Sequence, residues 1–403
     1  MDEAIAGQRA SISGFREWMT LIVILSGGVM LGLVVAAMSP IAHEASLYFG
    51  KKGDGDLVAQ MIVTVPSVGI ILGGPLCGWL IDRSGAKTFM LAALAVFGVA
   101  GSAGLYLDDA STLMASRFVL GLSTAGIVTA MITMIGEHYT PEQRARVLGY
   151  QSGSGAFMGV LTIEAAGRLG DLGWRTPFAL YLFAFVMLVL GLFYLPPSVR
   201  RVHAAAKAAP ADYRGLVRLW PVYLMIIPMF IAVYMPNIQV SFLLRDDNIV
   251  RPLTQSHVIE TGAFTVAVSA FCFGMIRRRF SGAQTLLACF VFQGAGIIVM
   301  GLSHTALGIA LGCGVLGIGT GIANPLISDM IVSRSTPEMR SRAIGASYTA
   351  RYSGDFLNPL IMHPLSLALG LHMAFVAVGG LFLAGAAMAA GLRQTVMKPA
   401  PAE

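Results

Sequence analysis

The chain has 403 residues, of which 56% are hydrophobic and only 12% charged, with a formal charge of +6 and a mean hydropathy of +0.74. Soluble proteins carry about 25% charged residues, so a water-soluble fold, a disordered chain, a collagen and a coiled coil are excluded. What remains is a chain solvated mostly by lipid, whose backbone must satisfy its own hydrogen bonds in helices.

Apolar runs predict twelve spans, at 18–41, 58–81, 88–106, 111–136, 147–168, 175–196, 220–244, 255–276, 284–302, 305–332, 343–367 and 371–392. The leading MDEAIAGQRASISGFREW is acidic at its start and has no apolar run ending in a small-residue cleavage site, so the first span is expected to be retained. A single long polar interruption, Ala-rich and basic, divides the chain. The expected domains are a cytoplasmic segment at 1–17, a six-helix bundle at 18–196, a central loop at 197–219, a second bundle at 220–392 and a tail at 393–403. Of the 27 Lys and Arg, 19 fall in the connections that share a side with the termini and the central loop, six on the other side, and two (Arg117 and Arg351) inside spans. Positive residues stay cytoplasmic, so the expectation is a multi-pass protein of the plasma (inner) membrane with both termini in the cytoplasm. Topology thereby accounts for the basic balance, and no nucleic-acid partner is expected. The four cysteines, Cys77, Cys272, Cys289 and Cys313, have no CxxC spacing, and the seven histidines are scattered. Neither a metal nor a cofactor is expected from them.

The two halves repeat at an offset of 196: TPEQRARVLG at 140–149 matches TPEMRSRAIG at 336–345, and Val119-Leu120-Gly121 matches Val315-Leu316-Gly317. Parallel repeats of this kind place substrate sites near mid-membrane between the halves.

Between spans two and three lies Gly78-Trp79-Leu80-Ile81-Asp82-Arg83-Ser84-Gly85-Ala86-Lys87. It resembles the GxLaDRxGrK loop, motif A, of the major facilitator superfamily, with Ala86 in place of the usual basic residue. Gly78 suits a close helix approach, Gly85 a tight turn, and Asp82 a neighbouring helix N-terminus. The resemblance implies that Asp82 clasps the two halves near the start of span eleven, at Arg342 to Gly345, and that Glu137 partners Arg83 or Lys87. A solvated turn is the alternative. Arg117 opens a pattern similar to the family's RxxxGxxxG, which implies proton coupling; the alternative is an arginine that snorkels to the interface. Span five has Gly149, Gly153, Gly155 and Gly159 but Val160 where drug–proton antiporters have proline, and its small face is expected against span eight.

Span eleven carries the densest polar set: Tyr348, Arg351, Tyr352, Asp355 and Asn358. Arg351 and Asp355 at i, i+4 share a helix face, about 12–18 Å into the span at 1.5 Å per residue. They are expected either to form a structural ion pair or to be a cavity-facing pair that binds substrate or a proton. Glu164 is a candidate proton site or a partner of Arg168. Asn237 and Gln239, beside a Pro236 that breaks span seven, and Asn324 are candidates to line a gate.

The resemblance implies an all-α major facilitator bundle of twelve transmembrane helices in two pseudo-symmetric halves, working by alternating access. No GxxxxGK[ST] phosphate loop is present, so the expected driving force is an ion or substrate gradient. The first functional reading is proton-coupled efflux of a small organic molecule, as in bacterial drug and metabolite exporters, by a monomer in the lipid bilayer. The alternative is a proton symporter or facilitator importing an organic acid, which the Arg351 charge would suit. A membrane enzyme or receptor is more remote, since neither a catalytic cluster nor a large extramembrane domain is present.

Overall fold

The computed structural model describes residues 2–50, 54–197, 219–335 and 340–391. Most of the expected central loop, the tail beyond Gly391, and the Arg342 side chain therefore lie outside the described residues. Among the described residues, twelve helices of 12 residues or more follow one another: α1 Asp2–Ala36, α2 Gly55–Ser84, α3 Ala86–Ser102, α4 Ala110–His138, α5 Pro141–Gly170, α6 Phe183–Tyr194, α7 Trp220–Asp246, α8 Pro252–Arg279, α9 Gly282–Leu302, α10 Ala306–Arg334, α11 Arg340–Leu369 and α12 Leu371–Gly391. A 3-10 turn Ser39–Ile41 and a short helix Ala42–Phe49 extend α1, and a 3-10 turn Thr176–Leu182 leads into α6. Among the described residues, nine helices are long and apolar enough to cross a membrane.

Helix starts are fixed by side-chain caps that satisfy amide groups left over at each first turn. Asp54 accepts from the Leu57 amide at 3.1 Å, Asp109 from Thr112 at 3.0 Å and Thr305 from Gly308 at 3.2 Å. Ser281 and Gln284 bond reciprocally in a capping box at the start of α9. One expectation fails: α7 runs unbroken through Pro228 and Pro236. A lost backbone bond is tolerated inside a bundle where neighbouring helices pack around it; one residue before the Ala232 carbonyl that Pro236 leaves without its i+4 donor, Asn358 on α11 donates to the Ile231 carbonyl at 2.9 Å.

Two apolar cores form. One gathers Met30, Ile62, Phe97, Leu120, Met131 and Phe178 from α1 to α6. The other gathers Ile226, Met229, Leu243, Ile297, Leu316 and Phe375 from α7 to α12. The 196-residue repeat has a physical counterpart in how helices touch. A Cβ at Gly121 on α4 would collide with the Pro66 carbonyl on α2, and one at Gly317 on α10 with the Gly262 carbonyl on α8. Both members of the first pair map to the second at the same offset, so one backbone-to-backbone approach is built twice. Across the halves, α2 packs on α11 and α5 on α8.

Candidate transport site

Call the end where α1 begins and α12 finishes the near end, and the opposite one the far end. At the far end the halves are joined by a ladder of polar contacts. Arg245 at the end of α7 reaches Asp56 at the start of α2, at 2.7 Å and 2.9 Å. Arg251 meets Asp171 at 2.8 Å, His257 meets Glu164 at 3.2 Å, and His363 meets Asp54 at 2.7 Å. Deeper in, Ser241 donates to the Ser39 carbonyl at 2.5 Å, and Ser39 donates to Asn237 at 3.3 Å. Gln239 donates to Gln60 at 3.2 Å and to Asn358 at 2.8 Å. The ladder ends where Ser67 of α2 donates to the buried carboxylate of Asp355 on α11.

Every inter-half hydrogen bond and ion pair named above lies between that level and the far end. Asp82 is exposed and forms no ion pair among the described residues. A Cβ at Gly78 or Gly345, the expected docking level for Asp82, would meet nothing within 4 Å. Gly78 therefore makes no close helix approach in this conformation, because the faces it would join are apart. Gly85 does form the expected turn, with φ 84°, a conformation that suits glycine. Arg83 stacks over Trp79 at 3.8 Å, and Lys87 donates to the Leu195 carbonyl at 2.6 Å, tying α3 to the end of α6. The expected Arg83–Glu137 pairing is absent: Glu137 Oε2 is buried without a hydrogen-bond partner among the described residues.

Between the ladder and the open end sits Arg351. It donates to Asn324 on α10 at 2.8 Å. Its guanidinium carbon lies 5.0 Å from the ring centre of Phe230 and 5.3 Å from that of Tyr348. The expected Arg351–Asp355 ion pair does not form. One helical turn separates the two, but Arg351 turns to α10 within its own half while Asp355 turns across to α2. Among the described residues the cation thus has no carboxylate partner, and its Nε is buried without a bond. Tyr348 is 49% exposed and opens the site toward the near end, whereas Tyr352 is buried. An arginine inside a span costs about 2.5–3.5 kcal/mol by insertion scales. One hydrogen bond to a charged group returns about 1.5–3 kcal/mol, and Arg has five N–H donors. The bond to Asn324 uses one of these donors, and the guanidinium keeps its charge inside the bundle.

Arg117 lies elsewhere. It is fully buried, donates to the Ala100 and Gly101 carbonyls at 2.7 Å and 2.6 Å, and sits 5.0 Å and 5.1 Å from the Phe178 and Tyr181 rings. It neither snorkels nor meets the other half; it braces α4 against α3 and the 3-10 turn before α6. Glu164 forms the expected pair with Arg168 at 2.5 Å and also meets His257 across the halves. The glycine face of α5 also departs from expectation: Gly155 and Gly159 face Gly28 and Gly32 of α1, and it is Gly167 and Gly170 that press on Ser256 and Pro252 of α8. Gly149 and Gly153 fall outside the described side-chain positions. The sequence missed Asp54, Asp56, Gln60, Ser67, Asp171, Arg245, Arg251, His257 and His363, because each contacts a helix of the other half.

Two packed six-helix halves, joined at the far end by polar contacts and carrying an arginine within the bundle, are the architecture of a membrane transporter. The Major Facilitator Superfamily model matches residues 19–359, and the chain belongs to that family: it is a multi-pass secondary transporter, not an enzyme. Two similar proteins are described as probable nitrate transporters NarT. The one from Staphylococcus epidermidis is 24% identical over 370 residues, covering 87% of this chain and 89% of that protein. The one from Staphylococcus aureus is 25% identical over 368 residues, covering 86% and 90%. Among solved structures, the inward-open xylose transporter XylE from E. coli superposes with a TM-score of 0.75 at 12% identity, covering 95% of this chain and 97% of that one. A D-xylose-proton symporter gives 0.72 at 15%, covering 95% and 98%. These likenesses establish the fold.

Proposed function

We propose that the protein imports a small anion, nitrate or a short carboxylate, by alternating access in the plasma membrane, with both termini cytoplasmic. The observation that carries this reading is Arg351, a mid-bundle cation with a single side-chain partner and no carboxylate. The description of two relatives as probable nitrate transporters supports an anionic substrate, and an inward direction is proposed in place of the efflux that the exporter-like resemblance suggests. With the near end cytoplasmic, the conformation is inward-open: the far-end ladder is the closed outer gate, and the motif A loop around Asp82 is the open inner one.

In this cycle an anion entering from outside meets Arg351, Asn324 and Tyr348. The charge it neutralises lowers the cost of closing the cavity over it. Asp355 carries the coupling proton: it is buried, faces the other half, and has Ser67 as its hydrogen-bond partner, so a change in its charge acts directly on the contact between the halves. The protein works as a monomer.

The test is flux in proteoliposomes containing purified protein. Nitrate, formate, acetate and a neutral sugar are offered with and without an inward proton gradient. Saturable uptake of at least one anion, lost in Arg351→Gln and partly kept in Arg351→Lys, is the expected result. Anion uptake unchanged by Arg351→Gln would remove the site. Substrate expulsion against the proton gradient would restore efflux. In Asp355→Asn, anion counterflow should persist while gradient-driven accumulation is lost; retained accumulation would make the protein proton-independent or move the proton elsewhere.

A further inference from the structure

At the far end, wholly within the second half and apart from the inter-half ladder, three side chains from three separate connections converge. Asp247 caps the C-terminus of α7, His304 lies in the α9–α10 connection, and His372 is in the first turn of α12. One ligand-capable atom from each lies within 4.8 Å of the other two. His304 Nδ1 is 2.8 Å from Asp247 Oδ1, His372 Nε2 is 3.4 Å from Asp247 Oδ2, and the two rings are 4.3 Å apart between centres.

The geometry points to a divalent transition-metal site, with Zn²⁺ the ion it suits best, made by Asp247, His304 and His372. Four observations converge on it. First, the Asp247 side chain is only 8% exposed, and its Oδ2 is sealed from solvent without a hydrogen bond. A buried carboxylate oxygen in that state asks for a cation. Second, His372 Nδ1 is 3.0 Å from the Gly301 carbonyl. That contact anchors the ring through Nδ1 and turns Nε2 toward the carboxylate, the outer-shell arrangement common to metal-ligating histidines. Third, the backbone holds the ligands in position. Asn248 has φ 61° and donates to the Arg245 carbonyl, while Ile249 donates to Leu244, both at 2.8 Å. That is the left-handed helix stop of a Schellman motif, and it fixes Asp247 as the capping residue. A Cβ at Gly301 would meet the His372 carbonyl at 2.7 Å, so the close approach of α9 to α12 that presents His372 depends on glycine there. Fourth, the donor set is selective: two imidazoles and one carboxylate match zinc and its neighbours, whereas magnesium and calcium prefer all-oxygen shells.

Tetrahedral bonds of about 2.0–2.1 Å set ligand atoms about 3.3 Å apart, which small rotations of the three side chains reach. His304 is 68% exposed, leaving a path for the ion and a fourth position for water. Bound metal would pin the end of α7, the α9–α10 connection and the start of α12 together. Asp247 follows Arg245 by two residues, so the same clip would steady the helix end that holds the outer gate to Asp56.

The experiment uses full-length detergent-purified protein without a polyhistidine tag, stripped with chelator. Titration calorimetry and thermal unfolding are followed with ZnCl₂ and, separately, MgCl₂. The expected result is about one Zn²⁺ per chain and a Tm rise of about 3–6 °C at 100-fold excess over Kd, with no response to Mg²⁺. His304→Ala combined with His372→Ala should weaken zinc binding at least about 100-fold, leaving metal-free anion transport intact. The single exposed change His304→Ala, in which folding is least at risk, should weaken it at least about 10-fold. His257→Ala should leave it unchanged. Absence of stoichiometric zinc binding would overturn the proposal, as would binding that survives the double substitution. Loss of binding in His257→Ala would overturn it too, by moving the metal to the cluster of Glu164, His257 and Glu260.

Discussion

The two ends of this bundle are built from the same repeated half yet differ in what holds them. At the far end, charged pairs such as Arg245–Asp56 and Arg251–Asp171 cross between the halves, and Gly167 and Gly170 let α5 press on α8. At the near end Asp82 and Arg83 are exposed, Lys87 bonds Leu195 of its own half, and the glycines Gly78 and Gly345 have space around them. The difference teaches that one end carries its bonds in this state and the other holds its bonding groups in reserve.

Removing the cation between the two ends should have the largest effect: Arg351→Gln should lower anion uptake at least about 100-fold, since a charge-assisted bidentate contact and its electrostatic complement are lost together. Gly167→Leu comes next. It would force α5 off α8, and we expect labelling of Cys introduced at Ser67 by an impermeant maleimide from outside to rise more than tenfold. Unchanged labelling would mean the far-end packing does not seal the path. Arg245→Ala breaks a half-buried pair worth about 1–2 kcal/mol, between the exposed and the buried regimes, so the outward-open population should rise about 5–30-fold. The exchanged pair Arg245→Asp with Asp56→Arg should restore most of it. The smallest effect is at the reserved end. Asp82→Asn should leave Tm within about 1 °C while slowing turnover several-fold, and Gly78→Leu should behave likewise. A large drop in Tm in either would show that the near-end groups already bear load in this state.

Much of this was legible along the chain. Apolar runs located most of the helices to within a few residues, because a span of lipid imposes its length on each one; the exceptions are α1, which begins at Asp2 inside the expected leading segment, and span six, whose first turns are a 3-10 run before α6 starts at Phe183. The polar positions of span eleven were also visible, but their pairing was not. The i, i+4 spacing of Arg351 and Asp355 allows a bond without requiring one, and each found a partner on another helix. The outer gate was hidden for the same reason. Arg245 and Asp56 are 189 positions apart, and each reads locally as a loop charge that sets topology. Asp247 and His304, 57 apart, carry no ligand spacing until the helix ends bring them together. Pro236 misled because proline ends isolated helices, while a helix inside a bundle has neighbours to absorb the lost bond.

Central to the account is that the two ends exchange roles when an anion binds at Arg351. The direct measurement is electron–electron distance spectroscopy on a background without the native cysteines, with spin labels at Leu172 and Val250 on the far end and at Gln143 and Arg278 on the near end. Saturating transported anion should populate states with a shorter near-end distance and a longer far-end distance, and Arg351→Gln should abolish the shift. Distances that stay fixed at both ends, or that lengthen and shorten together, would contradict it.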